Sequence, residues 1–173
     1  MMTGQLRYGV LKLVAMVVIP AALHANEPGR DALFHIERNK NANIIQYDAQ
    51  LGPDGKLQAR KPVLAYWVRL AEQGQVKELS WMQRKFAYGF STKPNKSENS
   101  VTLDMTLNIG RTLLVRQEGD DYRAIADING VESYIDKIFI YATGKGISTR
   151  VSYIELYGKA VNNREEQYER FSR

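Results

Sequence analysis

The chain has 173 residues, 24 Lys and Arg against 19 Asp and Glu for a formal charge of +5, 44% hydrophobic residues, two histidines and no cysteine. That length and balance suit a single domain with a real core. The missing cysteine excludes disulfides, thiolate nucleophiles and zinc sites of the Cys/His type, and no cofactor or metal is expected.

Residues 1–25 read as a secretory leader. Arg7 and Lys12 precede the uncharged apolar run Leu13 to Ala22, and Leu23-His24-Ala25 offers a small residue before a polar start at Asn26. An uncleaved anchor would need roughly 20 apolar residues, and only ten lie between Lys12 and Leu23. Cleavage after Ala25 leaves no membrane span and no cysteine to lipidate, so a periplasmic or secreted location is expected. Removing Arg7 and Lys12 lowers the charge from +5 to +3, too little for nucleic-acid binding. The remaining basic excess is local: residues 60–97 hold eight Lys or Arg against Glu72 and Glu78.

Residues 26–159 read as a β domain. Strands are expected at Leu33–Arg38 and Asn43–Ala49, where Phe34 and Ile36, then Ile45, Tyr47 and Ala49, recur at period two. "GPDGK" (52–56) is turn chemistry, and "VLAYWVRL" (63–70) is apolar on both faces, as a doubly covered strand would be. Val76, Leu79, Met82 and Phe86 then fall three or four apart, which predicts one amphipathic helix over about 76–86 packed on the sheet by those residues. Residues 91–100, "STKPNKSENS", read as a polar loop.

Val101, Leu103, Met105 and Leu107 alternate with polar residues as a one-face-buried strand. "RTLLVRQ" (111–117), the 122–128 run, "VESYIDKIFIYAT" (131–143) and "STRVSYIELYG" (148–158) supply further strands. Asn129-Gly130 between two of them is a strong hairpin signal, because a type I′ turn needs φ > 0 at both central positions. Residues 160–173 read as a polar tail, frayed helix or disordered. The fold class expected is mainly β: a single antiparallel barrel-like or sandwich domain with one short helix.

Few residues point to chemistry. "GKGIST" (144–149) lacks phosphate-loop spacing, and "EGDD" (118–121) lacks the distal bidentate Glu of a calcium loop. After leader removal His35 is the single histidine, so Ser–His chemistry would depend wholly on it. A carboxylate pair such as Glu37 with Asp48 is the other hydrolytic candidate. "WMQRKFAYGF" (81–90) sets two basic residues among large apolar ones. Packing accounts for the apolar positions, with Arg84 and Lys85 laying their stems over them. A binding reading makes Trp81, Arg84, Lys85 and Tyr88, with Trp67, the wall of a pocket for a small anionic or sugar-like ligand. The leading expectation is a non-catalytic binding module. The alternatives are a small cell-envelope hydrolase using His35 or a carboxylate pair, and an interaction protein using a sheet edge.

"LFHIERNKNANIIQYD", "PVLAYWVRLAEQGQVKELSWMQRKFAYGF" and "ADINGVESYIDKIFIYA…VSYIELYGK" together resemble domain-of-unknown-function family 4833 over roughly residues 31–159. Its most specific part is the Q-x-K-x-A-Y-G stretch, here Gln83, Lys85, Ala87, Tyr88 and Gly89. The resemblance implies a small secreted or periplasmic bacterial protein and brings no activity or catalytic residues.

Overall fold

The computed structural model describes residues 31–95, 98–144 and 148–172; the leader reading of residues 1–25 and the centre of the 144–149 turn lie outside them. In chain order the strands are β1 (Ala32–Arg38), β2 (Asn41–Ala49), β3 (Val63–Arg69), β4 (Gln75–Glu78), β5 (Phe90–Asn95), β6 (Ser100–Met105), β7 (Leu113–Glu118), β8 (Asp121–Ile128), β9 (Val131–Thr143), β10 (Arg150–Ala160) and β11 (Glu166–Ser172). One helical element, α1 (Trp81–Gln83), widens into a π turn over Arg84–Tyr88 and joins β4 to β5.

All eleven strands belong to one sheet, with the path β4-β3-β2-β1-β9-β8-β7-β6-β5 and β10-β11 branching from β9. The fork follows from the length of β9. One of its edges carries β10 from Ser133 to Thr143. Its other edge is shared by β8, at Val131–Tyr134, and β1, at Lys137–Ile140. Two arms, β1 to β4 and β8 to β5, therefore leave β9 side by side, and the sheet curls into a half-barrel. The expected barrel-like β architecture is present, with one pairing, β1 to β9, parallel.

The core fills the concave side. Ile36, Ile45 and Tyr47 from one arm meet Leu103 and Leu113 from the other, above Ile138, Ile154 and Leu156 of β9 and β10; all are fully buried. The alternation of 101–105 places Val101, Leu103 and Met105 inward, as read from the sequence. Asn129 (φ 52°) and Gly130 (φ 83°) form the expected turn with positive φ at both positions.

Three segments differ from expectation. The helix does not run over 76–86: Gln75–Glu78 pair with β3, with Val76 opposite Val68, after a left-handed reversal at Gln73 and Gly74. The helical element begins only at Trp81, where Ser80 caps it, and of the four periodic residues only Leu79 is buried. The loop expected at 91–100 is largely β5, an edge strand that tolerates Pro94 because its other edge is unpaired. The segment 160–173, expected as a frayed helix or disordered, carries β11, paired with β10 from Tyr153 to Lys159.

Candidate functional site

The two ends of the sheet path, β4 and β5, are consecutive in the chain, so the turn between them spans the open seam of the half-barrel. β4 covers β3 only from Tyr66 to Arg69. Val63–Ala65 keep a free edge, and a cavity of about 600 Å³ lies there. Val63, Ala65 and Tyr66 form one wall, Phe90 and Thr106 the facing one, and the turn from Leu79 to Gly89 lies across it.

Local chemistry builds that turn. Ser80 Oγ accepts from Gln83 N at 3.3 Å while Gln83 Oε1 accepts from Ser80 N at 2.8 Å, a capping box. The same Gln83 Oε1 accepts the indole N–H of Trp67 at 3.2 Å, tying the turn to β3. At the far end the Tyr47 hydroxyl donates to the Tyr88 carbonyl at 2.7 Å. Gly89 is required by close approach, since a Cβ there would sit 2.0 Å from the Arg84 carbonyl oxygen. Burial pushes both tyrosine hydroxyls upward, Tyr47 strongly and Tyr88 against the opposing charge of Arg38. Both are neutral donors at neutral pH.

Charge is distributed unevenly around the cavity. Arg84 is occupied: its Nη2 pairs with Glu78 at 2.9 Å and its Nε donates to the Leu79 carbonyl at 2.9 Å. Lys85 holds its ammonium 4.8 Å from the Trp81 ring centroid and 5.2 Å from that of Phe86. Neither Lys85 nor Lys61, also at the cavity, has a carboxylate partner among the described residues. Deeper in, buried Asp48 accepts hydrogen bonds from the Tyr66 hydroxyl and from Gln46 Nε2. The walls are thus largely apolar, the polar floor is satisfied, and the rim carries two lysines without a carboxylate partner among the described residues.

Of the five residues expected to bind, Trp81, Arg84, Lys85 and Tyr88 line this one cavity. Trp67 does not. It lies behind the turn, edge-on to Tyr88 at 5.6 Å, and faces a second cleft of about 560 Å³ with Arg38, Lys77 and Gln83. Its role is to brace the turn. Sequence reasoning missed Lys61, Tyr66, Phe90 and Thr106 at the cavity, and named Asp48 only as a hydrolytic candidate. Phe90 had a local signal, because it closes the 81–90 stretch that supplied four of the expected residues.

The hydrolytic candidates do not come together. His35 lines neither cavity; its Nε2 sits 3.2 Å from Glu37 on the outer face of β1, and Glu37 is also bound by Lys137 at 3.3 Å. Asp48 pairs with Ala32, five positions along β1 from Glu37. That is roughly 16 Å at about 3.3 Å per residue, beyond the spacing of either glycosidase geometry.

No curated protein and no solved structure matches the chain. A family model described as "Domain of unknown function (DUF4833)" matches residues 34–170, which run from β1 through the turn and into β11, and the chain belongs to that family.

Proposed function

We propose that the protein is a non-catalytic binding module for a small amphipathic ligand with an anionic group, held in the seam cavity. The observation that carries this is the pairing of an apolar-walled cavity of about 600 Å³ with two rim lysines, Lys61 and Lys85, that no carboxylate among the described residues neutralises. An apolar cavity with a few convergent polar groups is the usual form of a small-molecule site. The anionic head meets Lys61 and Lys85, and the apolar portion lies along Val63, Ala65 and Phe90. A sugar-like ligand is less well served, because the polar groups of the floor already satisfy one another. The leader reading of residues 1–25 puts the module in the periplasm or outside the cell.

The test is calorimetric titration with dodecanoate and with dodecyltrimethylammonium, which share a chain and differ in head charge. Dodecanoate should bind and its cationic counterpart should not. The pair Lys61→Gln and Lys85→Gln should weaken dodecanoate by roughly tenfold, the scale of losing close charge pairs, and Ala65→Phe should block it by filling the wall. Equal binding of both amphiphiles, or of neither, sinks the reading.

A further inference from the structure

The outward side of the same segment is apolar where a soluble surface is ordinarily polar. Among the described residues, Trp81, Met82 and Phe86 are each about two-thirds exposed (67%, 63% and 66%), and Val76 is 45% exposed. They stand together: the Trp81 and Phe86 rings meet edge-on at 6.1 Å, Met82 lies four residues before Phe86, and Val76 shares the cavity mouth with Trp81. A cluster of large exposed apolar side chains is the kind of surface that marks an interaction site. Nor are they free to fold inward. The capping box, the Trp67–Gln83 hydrogen bond, the Tyr47–Tyr88 hydrogen bond and the close approach at Gly89 hold the turn from both ends.

Charge identifies the partner. Residues 60–86 carry Arg60, Lys61, Arg69, Lys77, Arg84 and Lys85 against Glu72 and Glu78 only. Arg69 and Arg84 are paired with those two carboxylates, which leaves Arg60, Lys61, Lys77 and Lys85 without one among the described residues. Lys85 lies over the very rings that project, so its stem can follow them into an apolar medium while its ammonium stays at the boundary. Indole and phenyl groups flanked by uncompensated lysines are the composition of a surface that enters the headgroup region of a bilayer. A second copy of the chain fits worse, because a two-fold contact would set these lysines against their own copies.

We infer that Trp81, Met82 and Phe86, with Lys85 and Lys77 around them, form a docking surface for an anionic lipid bilayer. No helix among the described residues is long and apolar enough to cross a membrane; these side chains enter one leaflet only. Trp81 and Lys85 also line the cavity, whereas Met82, Phe86 and Lys77 do not, so variants at Met82 and Phe86 test docking apart from the cavity.

The test uses the full chain with vesicles of phosphatidylcholine alone or mixed with phosphatidylglycerol, some with brominated acyl chains. The two tryptophans are Trp67, which is buried, and Trp81, which projects, and residues 1–25 contain none. Emission therefore reports on the turn whatever the leader does. Phosphatidylglycerol vesicles should shift the emission to the blue and brominated chains should quench it, with both effects reduced by added salt. Met82→Ser with Phe86→Ser should weaken vesicle binding by about tenfold or more while leaving dodecanoate binding unchanged. Lys77→Gln with Lys85→Gln should remove the preference for phosphatidylglycerol. Unshifted emission in the wild-type chain overturns the inference whether or not the variants fold. So does self-association that the serine pair abolishes, which would assign the face to a second copy.

Discussion

Tyr47, fully buried on β2, donates its hydroxyl to the Tyr88 carbonyl at 2.7 Å, joining the centre of the core to the last helical residue of the seam turn. The ring is held independently, stacked on Phe34 at 4.5 Å and tilted against Phe90 at 6.0 Å. Tyr47→Phe therefore removes the tether and keeps the packing. Leaving the Tyr88 carbonyl without its donor should cost about 1–3 kcal/mol, read as a lower urea midpoint with an unchanged slope. A variant as stable as the wild type would mean that the carbonyl finds another donor and the tether is not what holds the turn.

How much of this was legible depended on the range of the interactions. The alternation from Val101 to Met105 and the Asn129-Gly130 turn are local, and both were readable. Val76 was misassigned because its distance of three from Leu79 satisfies a helix as well as it satisfies a strand end followed by a cap. The signal that separates them, Gln73-Gly74 reversing the chain, is weak in isolation. β11 was missed because Phe171 is its one residue packed against the core, and most of its remaining contacts are polar. Glu169 reaches Arg111 and Arg170 reaches Glu155, and nothing in hydrophobic periodicity records either pair. The cavity split the same way. Trp81 to Tyr88 are close in sequence and were named together, whereas Asp48 and Tyr66 are joined across 18 positions and were not brought together.

Those same β10 and β11 contacts predict an acid sensitivity. Hydrogen bonds from Arg111 lower the Glu169 carboxyl, against its partial burial and with help from the Asn129 amide. Burial alone would raise Glu155, but Arg170, Tyr157 and Tyr168 donate to it and hold it below the ordinary value. Tyr157 itself is pushed up to about 12 by burial and by Glu155, so it remains a donor. Both carboxyls have folded values below their unfolded ones. Their stabilisation is thus full above the unfolded value near 4.5 and is lost as pH falls through the folded values. Urea midpoints should drop between about pH 6 and about pH 3, and Glu155→Gln and Glu169→Gln should each flatten that drop while lowering stability at neutral pH. If the two glutamine variants lose stability with acid as steeply as the wild type, other groups carry the effect.

The seam turn separates two kinds of apolar residue that periodicity alone makes equivalent. Leu79 is 2% exposed and belongs to the core, whereas Phe86 is 66% exposed and touches Trp81 and the Lys85 ammonium. Leu79→Ala should cost about 2–5 kcal/mol, because it leaves a cavity between β3 and the turn. Phe86→Ala forfeits only surface contacts, within about 0.5 kcal/mol, and a cation–π interaction worth roughly 0.5–1 kcal/mol at an exposed site. Even the sum of those two stays below the smallest loss expected at Leu79. Urea unfolding of the two variants, followed by far-ultraviolet circular dichroism, compares them directly. Phe86→Ala as damaging as Leu79→Ala would mean that the ring packs inward in solution, and the exposed face proposed for lipid docking would go with it.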